Sequence, residues 1–305
     1  MQFMFQYPDF YGLDGDMLDA GAVAELAIAA EASGWAGFAF TEHPAPSAKW
    51  LATGGHQSLD PFVALSHVAA VTTRLKLLTY LAVLPYRNPL SLAKSAATVD
   101  KLSGGRFILG VGTGYLKAEF FALGVDFDER NELFDEALDV LPLHWSGEPF
   151  DYAGKHFNAR DIIGRPRPVQ IPIPIWIGGN AKLTLRRVAE RAQGWMPLLG
   201  PPEMTSTVRS PHVGSVEAIS ERLGLLRGYA GDRFAELDLV VAHIDRTIYD
   251  TTNASNIERH REAFTAYREL GATWCVVPGP SAMAPQSRDF IQAFSELYIT
   301  PESPQ

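Results

Sequence analysis

The stretch Lys101-Leu-Ser-Gly-Gly-Arg-Phe-Ile-Leu-Gly-Val-Gly-Thr-Gly114 decides the fold, because it joins the end of a helix to a short apolar strand that stops in glycines. Apolar residues at helical spacing run from about Pro89 to Leu102, and the strand covers Phe107–Val111. The same alternation of strand-length and helix-length apolar segments continues in both directions from this unit. The pattern predicts βα units around a parallel sheet.

Eight such units fit into the 305 residues, and eight units suit a closed (β/α)8 barrel better than an open doubly wound sheet. We therefore predict a single α/β barrel domain over residues 1–305. The predicted strands are Gln2–Phe5, Gly37–Thr41, Leu75–Leu81, Phe107–Val111, Ile175–Ile177, Trp195–Met196, Leu237–Ile244 and Thr273–Val277. The predicted helices are Asp16–Ser33, Phe62–Val71, Pro89–Leu102, Arg130–Leu143, Lys182–Ala192, Ser215–Tyr229, Asn256–Leu270 and Ser287–Leu297.

Local signals place some helix ends and leave three segments irregular. Asp60-Pro61 is an N-cap followed by proline at the first helical position, and Gly34 is expected to end the first helix. Pro44–Leu59, Trp145–Pro174 and Leu198–Gly214 show no periodicity. Long segments of this kind are typical of lids and binding loops, so we expect insertions at the mouth of the barrel.

Composition excludes several classes of protein. The formal net charge is −9 and no Lys/Arg-rich run occurs, which disfavours binding to nucleic acid or an anionic membrane. Cys275 is the single cysteine, so a disulfide scaffold or a thiolate metal cluster is excluded and a reducing cytoplasm fits best. No apolar run reaches the roughly 18 residues of a transmembrane helix, and the N-terminus does not read as a signal peptide. We expect a soluble, cytoplasmic protein.

Three groups of residues follow strands and would lie at the mouth of a barrel, where functional groups are placed. Glu42-His43 follows the second strand, and a carboxylate beside an imidazole can act as an acid/base pair or cap a loop. Gly110-Val-Gly-Thr-Gly114 leaves one strand end without side chains, either for a flat ring or for tight packing. Gly178-Gly-Asn180 opens a helix whose N-terminus suits a phosphate, or forms an ordinary turn.

Other catalytic motifs are missing. The sequence has no H-E-x-x-H and no His/Asp/Glu spacing typical of metal ligands, so no metal site is predicted. It has no G-x-S-x-G nucleophile elbow, and nothing pairs Glu42 with Asp245 as glycosidase carboxylates would be paired. A cofactor-free or metal-dependent hydrolase is therefore disfavoured, and a non-catalytic binding barrel stays open.

Several segments in fixed order resemble the luciferase-like monooxygenase family. They are Leu84-Pro-Tyr-Arg-Asn-Pro-Leu-Ser-Leu-Ala-Lys94, Asp100–Gly114 with Glu119 after it, Phe150-Asp-Tyr-Ala-Gly-Lys-His-Phe157 and Pro174-Ile-Trp-Ile-Gly-Gly-Asn180. The match extends from about Phe38 to Pro197 and is weaker beyond that point. Within the family, the chain is most similar to the branch that uses the deazaflavin coenzyme F420, and less similar to the branch that uses reduced FMN.

The resemblance implies a luciferase-like barrel with a cofactor at the C-terminal ends of the strands. It implies a bulge near Thr79-Tyr80-Leu81, in a strand that in this family often contains a non-prolyl cis peptide bond. Glu42 and His43 would face the cofactor ring as the catalytic residues, with His43 transferring the proton. The implied cofactor-binding residues are Thr79, Tyr80, Val83 through its backbone, Thr113 and Gly114 at the ring edge, and Gly178, Gly179 and Asn180 at the phosphate.

The resemblance also implies a function. We predict an F420-dependent oxidoreductase that transfers a hydride between the deazaflavin and a small organic substrate, with a reduced-FMN-dependent monooxygenase as the alternative. FMN proteins of this family often have an arginine where this chain has Thr113, which favours the deazaflavin. Tyr115 replaces the acidic residue of deazaflavin sugar-phosphate dehydrogenases, which disfavours that reaction. The family further implies a homodimer and a separate flavin or F420 reductase, while Trp50, His56 and Trp195 are candidates for lining the substrate pocket.

Overall fold

The computed structural model describes residues 1–13, 15–202, 207–280 and 287–299. Its strands are β1 (Gln2–Gln6), β2 (Phe10–Tyr11), β3 (Gly37–Phe40), β4 (His56–Gln57), β5 (Lys76–Thr79), β6 (Ala82–Val83), β7 (Phe107–Gly112), β8 (Pro149–Ala153), β9 (Asn158–Ile163), β10 (Ile175–Gly178), β11 (Gly194–Met196), β12 (Asp238–Ala242) and β13 (Trp274–Pro278). Eight of them close into a parallel barrel in the order β1-β3-β5-β7-β10-β11-β12-β13, with β13 paired to β1, and the short β6 also pairs in parallel with β7. Each predicted strand overlaps one of these eight, so the predicted (β/α)8 barrel is confirmed.

Helices connect the barrel strands and surround them. They are α1 (Val23–Ala32), α2 (Ala48–Ala52), α3 (Pro61–Val71), α4 (Pro89–Ser103), α5 (Lys117–Ala122), α6 (Arg130–Ser146), α7 (Lys182–Arg191), α8 (Val216–Ala230), α9 (Ala254–Glu269) and α10 (Ser287–Phe294). Short 3-10 turns cover Met17–Ala20, Leu84–Tyr86, Gly231–Glu236 and Arg246–Tyr249, and a π-helical turn covers Ser295–Ile299. None of the helices in the described residues is long and apolar enough to cross a membrane.

Alternating residues of the barrel strands separate two apolar layers. Inward-pointing side chains fill the barrel with a cluster that includes Met4, Leu78, Trp176 and Val276. Outward-pointing side chains form a larger core with the surrounding helices. Because the interior is filled with side chains, the barrel is a packed core and the space for a ligand lies at its mouth.

The predicted helix caps are confirmed, but the first predicted helix is wrong in one respect. The Asp60 side chain accepts hydrogen bonds from the N–H groups of Phe62 and Val63, and Gly34 follows α1 with a φ of 84°. The segment predicted as one helix, Asp16–Ser33, is instead a 3-10 turn followed by α1. Gly21 separates the two with a φ of 124°, a conformation that a helix cannot contain.

The third barrel strand is interrupted where the resemblance implies a bulge. The predicted strand Leu75–Leu81 ends at Thr79 as β5, and the chain then pairs with β7 again as β6. The peptide bond between Tyr80 and Leu81, which lies between these two strands, is cis. The implied non-prolyl cis peptide bond is therefore confirmed.

Two of the three segments predicted as irregular contain regular structure. Within Pro44–Leu59, α2 is followed by β4, which pairs with β2 in an antiparallel ribbon. Within Trp145–Pro174, β8 and β9 form a hairpin with a register shift between Phe150 and Tyr152. Both are short, and the hairpin has little burial, so neither gave a clear periodic signal. In the third segment, Leu198–Gly214, residues 203–206 lie outside the described residues.

Candidate active site

The residues predicted for the site lie around the C-terminal ends of β3, β5, β7 and β10. These four strands are consecutive neighbours in the barrel. The structure therefore brings Glu42, His43, Tyr80, Gly112 and Gly178 to one side of the mouth. The contacts of each residue show what it can do there.

Glu42 is a buried carboxylate with partners inside the protein. Its Oε2 accepts a hydrogen bond of 2.7 Å from the backbone N–H of Val83, and its Oε1 is paired with the guanidinium of Arg87. Arg87 also pairs with Asp60 at 2.9 Å. Burial raises the pKa of Glu42, while Arg87 and the Val83 N–H oppose that rise. These contacts join the ends of β3 and β6. They also occupy the N–H of Val83, whose backbone was predicted to face the cofactor.

His43 is held by a second buried carboxylate, Glu119, at the start of α5. The Nδ1 atom of His43 lies 3.3 Å from Oε2 of Glu119, which also accepts a 2.9 Å hydrogen bond from the Tyr86 hydroxyl. The other Glu119 oxygen accepts from the backbone N–H of Ala45 at 3.3 Å. Because a carboxylate with these donors can only accept from the imidazole, Nδ1 of His43 carries a proton. The Nε2 atom is then the nitrogen that can take a proton from a ligand.

Aromatic side chains surround the His43 ring. Ring centroids of Trp50, His56 and Tyr115 lie 4.5, 4.8 and 6.1 Å from that of His43. Burial and the charge of Glu119 raise the pKa of Tyr115, so this phenol stays neutral near pH 7. Trp50 and His56, which were predicted to line the pocket, therefore lie beside His43, whereas Trp195 is fully buried in the core between the barrel and its helices.

The Leu81 side chain covers two glycines at the ends of β7 and β10. Gly112 and Gly178 have no side chains, and a Cβ atom on either would meet the Leu81 side chain. Leu81, at the cis peptide bond, thus packs over both glycines and contacts the cluster inside the barrel.

Three other predicted residues lie near Leu81 and the two glycines. Thr79 is fully buried, and its hydroxyl donates a 2.7 Å hydrogen bond to the carbonyl of Gly110. Tyr80 is half-buried beside the barrel interior. Gly114 has a φ of 76°, and a Cβ atom at this position would meet the side chains of Val83 and Phe120. Because its hydroxyl is buried and bonded to Gly110, Thr79 can shape the site only through packing. Thr113 is half-buried at the mouth.

The predicted phosphate site at Gly178–Asn180 is already engaged within the chain. The N–H of Gly179 donates to the carbonyl of Met196 at 3.1 Å, and the N–H of Asn180 donates to Oγ of Ser210 at 3.2 Å. The Asn180 side chain is fully buried and bonded to the backbone of Leu198 and Pro211. Asn180 therefore fixes the segment after β11, and its backbone can bind an anion only if Ser210 moves.

A group of three cations lies nearby and was missed by sequence reasoning. Lys117 Nζ, Arg130 Cζ and Arg209 Cζ lie 4.9, 4.0 and 5.1 Å from the centroid of the Phe127 ring. None of the three forms an ion pair with a carboxylate of the described residues. Burial and the positive charge of Arg209 lower the pKa of Arg130. We call these residues the Phe127 cation group. They are separated by 92 positions in the sequence, so no local motif reveals them.

The acidic residues considered as metal ligands or glycosidase carboxylates are paired with other residues of the chain. Glu129, Glu132 and His156 are the one set among the described residues with metal-ligand spacing, but Lys155 already pairs with both carboxylates. Asp245, weighed above as a glycosidase carboxylate, caps a 3-10 turn and pairs with Arg259 at 3.3 Å. Two open cavities of about 370 and 390 Å³ lie next to α8, away from His43.

The fold is that of a luciferase-like (β/α)8 barrel. The family model for the luciferase-like monooxygenases matches residues 4–222, and the chain belongs to this family. An uncharacterised protein of Mycobacterium tuberculosis is 36% identical over 149 residues, which is 49% of this chain and 51% of that protein. An FMNH(2)-dependent dimethylsulfone monooxygenase of Pseudomonas putida is 30% identical over 175 residues, covering 56% and 46%. The chain thus aligns with about half the length of these curated relatives.

Solved structures share the fold over nearly the whole chain. The monooxygenase RslO1 of Streptomyces bottropensis has a TM-score of 0.76 at 19% identity, covering 98% of this chain and 99% of that one. The coenzyme F420-dependent tetrahydromethanopterin reductase of Methanopyrus kandleri has a TM-score of 0.70 at 18% identity, covering 98% of each chain. At these identities the similarity shows the fold, and relatives with either cofactor are represented.

Proposed function

We propose that this protein is an oxidoreductase that transfers a hydride between coenzyme F420 and a small organic substrate. The observation that carries the proposal is the His43–Glu119 pair at the mouth of the barrel, on the same side as Leu81, which packs over Gly112 and Gly178. Hydride chemistry on a ring cofactor needs a planar site and one group that transfers a proton, since the cofactor itself carries the hydride. The mouth offers both.

The planar site is the surface formed by Leu81, Gly112 and Gly178. A leucine side chain supports a ring by van der Waals contact, and the two glycines let Leu81 lie close to the ends of β7 and β10. Thr113, Gly114 and Tyr80 would lie at its edge, with Thr79 and Val83 behind them. In this proposal Glu42 acts by holding Val83 and Arg87 in place, while His43 faces the reacting atoms.

The Phe127 cation group would hold the anionic part of the cofactor. Lys117 and Arg130 belong to the elements that follow β7, and Arg209 precedes Ser210, which is bonded to Asn180 just beyond β10. Like charges close together are unfavourable without an anion, and a phosphate would offset that repulsion. Gly178, Gly179 and Asn180 would then position this side of the mouth, and the helix dipole of α7 would add to the attraction.

The chain's own residues then account for the chemistry. The bound deazaflavin supplies the site that accepts or donates the hydride. Nε2 of His43 takes the proton from a substrate hydroxyl, or returns it to a carbonyl oxygen in the reverse direction. Glu119 keeps Nδ1 protonated and stabilises the imidazolium, and Trp50 and Tyr115 limit access of water to the ring.

Cofactor titration tests the proposal. Purified protein is titrated separately with F420 and with FMN, each oxidised and reduced, while tryptophan fluorescence is followed. We expect saturable binding of F420, weaker binding of FMN, and loss of turnover in a His43→Ala variant that still binds F420. Binding of FMN alone, together with oxygen consumption, would support the reduced-FMN monooxygenase in place of this proposal.

The proposal includes the setting in which the enzyme works. We propose a cytoplasmic homodimer whose cofactor is reduced or reoxidised by a separate reductase. The aromatic side chains packed around His43 favour a small organic substrate over a polymer. Light scattering of the purified protein tests the dimer, and a monomer would contradict it.

A further inference from the structure

A second histidine–carboxylate pair lies beside the first. The Nδ1 atom of His56 lies 3.4 Å from Oδ1 of Asp9 and 3.1 Å from the backbone carbonyl of Gln57. Both neighbours can only accept a hydrogen bond, because the carbonyl has no proton and the carboxylate has other donors. Nδ1 of His56 therefore carries a proton, and its Nε2 is an acceptor, as in His43.

Asp9 is held by residues from two barrel strands. Its Oδ1 accepts a 2.8 Å hydrogen bond from the Thr41 hydroxyl, after β3, and its Oδ2 accepts a 2.9 Å hydrogen bond from Gln6, the last residue of β1. His56 itself is fixed by the pairing of β4 with β2. The His56 ring is thus held in place by Asp9, which is bonded to the ends of β1 and β3, and by the pairing of β4 with β2.

The two imidazoles touch. Their ring centroids are 4.8 Å apart at an interplanar angle of 83°, and Trp50 lies against both, at 4.5 and 5.5 Å. The side chain of His56 is 16% exposed and that of His43 is 9% exposed, so His56 is the more open of the two. Tyr11, with Arg246 above its ring, also lies beside His56.

We propose that His56, positioned by Asp9, is a relay residue that passes the proton between His43 and solvent. This proposal rests on the proposed function for the origin of the proton. When the C–H electron pair leaves the substrate as hydride, the O–H electron pair becomes part of the carbonyl bond and the proton moves to Nε2 of His43. The proton then passes from Nε2 of His43 through a water molecule between the two rings to the acceptor Nε2 of His56, and from there it reaches a base in solvent. Asp9 and Glu119 keep their hydrogen bonds to Nδ1 of the two rings throughout.

A ligand-free measurement tests the tautomers on which the relay depends. Long-range ¹H–¹⁵N spectra of the labelled, cofactor-free protein distinguish imidazoles protonated at Nδ1 from those protonated at Nε2. We expect both His43 and His56 to be protonated at Nδ1 when neutral. Protonation of His56 at Nε2 would overturn the relay, because that ring would then have no acceptor facing the mouth.

The relay itself is tested by the rate of proton exchange at His43, measured by relaxation dispersion of its ring carbons. In His56→Gln we expect this exchange to slow about 10-fold and to recover when imidazole is added to the buffer. Asp9→Asn keeps the ring and should slow the exchange less, and it provides the same test if His56→Gln does not fold. His67→Gln, on the exposed face of α3, is the matched control and should have no effect.

An unchanged exchange rate at His43 in His56→Gln would overturn the proposal, and so would a slowed rate that imidazole does not restore. Neither measurement uses F420 or substrate. Failure of F420 binding would therefore remove the proposed function while leaving the relay between the two rings to be decided by these spectra.

Discussion

The Nδ1 atom of His43 lies 3.3 Å from Oε2 of Glu119, and only 1% of the Glu119 side chain is exposed. A buried carboxylate that receives three hydrogen bonds fixes both the direction and the protonated nitrogen of the imidazole. Burial and the charge of Glu119 raise the pKa of Tyr86, which therefore remains a donor to this carboxylate. Glu119 thus acts through His43 as a positioning residue.

Glu119→Gln should separate cofactor binding from turnover. The amide keeps the volume but can present an N–H to His43, which would allow the wrong imidazole nitrogen to be protonated. We expect kcat/KM to fall on the order of 100-fold with little change in the affinity for F420. Turnover with F420 on the best substrate of an alcohol panel measures kcat/KM, and fluorescence titration measures the affinity for F420. Glu221→Gln, exposed on α8, is the control, and equal losses in both variants would contradict this role.

Glu42 should matter for stability. Replacing it with glutamine leaves Arg87 without its buried partner, although Asp60 still pairs with that guanidinium. We expect the free energy of unfolding to fall by about 2–4 kcal/mol, as for other broken buried ion pairs. Urea denaturation at pH 7 measures this change. A variant of normal stability that has lost hydride transfer would instead support the catalytic role predicted from the sequence.

The placement of the ring above Leu81 can be tested at a glycine. In Gly178→Ala the new methyl group would push the flexible Leu81 side chain toward the mouth. We expect F420 affinity to weaken about 10-fold, equivalent to about 1.4 kcal/mol, and to recover when Leu81→Val is added. Gly224→Ala is the matched control, because a Cβ at that position meets nothing within 4 Å. Unchanged affinity in Gly178→Ala would place the ring elsewhere.

The strand positions were predictable because each barrel strand is a short apolar run bounded by helix ends. Glu42 and His43 became candidates for the same reason, since they lie just beyond the end of β3. Their separate roles were not predictable. Glu42 points to Val83 and Arg87 while His43 points to Glu119, and partners 41 to 76 positions away in the sequence depend on the closure of the barrel.

Asn180 shows a different limit. Its position after a strand and before a helix suggested a phosphate ligand. A polar residue in a βα turn gives this same signal in the sequence whether it binds a phosphate or only holds the turn. The structure gives its amide the backbone of Leu198 and Pro211 as partners. Likewise, Lys117, Arg130 and Arg209 are unremarkable in the sequence and become a group only because Phe127 lies between them.

The Phe127 cation group should control the salt dependence of cofactor binding. In Arg209→Gln we expect the Kd for F420 to rise about 3- to 10-fold at low salt, with a weaker dependence on ionic strength than in the unmodified protein. Inorganic phosphate should compete with F420 in the unmodified protein and compete less in the variant. Arg160→Gln, exposed on the β8–β9 hairpin, is the control. Equal salt dependence in both variants would argue against an anion site here.

The buried pair His243 and His260 should make the protein sensitive to acid. Nε2 of His243 lies 3.0 Å from Nδ1 of His260, and both residues are at most 3% exposed behind β12. Burial, with a smaller contribution from His260, lowers the pKa of His243 to about 4, and burial also lowers the pKa of His260. The folded protein therefore requires neutral rings, and the unfolded chain binds more protons below about pH 6.5.

The stabilisation from His243 is thus complete above about pH 6.5 and is lost as the pH falls toward 4, by about 3 kcal/mol in total. Urea denaturation at pH 7 and pH 4.5 measures this loss. In the double variant His243→Leu/His260→Leu, which has no imidazole to protonate behind β12, we expect the difference between the two pH values to shrink by about 2 kcal/mol. His67→Leu, exposed on α3, should retain the full difference. If the double variant loses as much stability as the unmodified protein, the acid sensitivity arises from other groups.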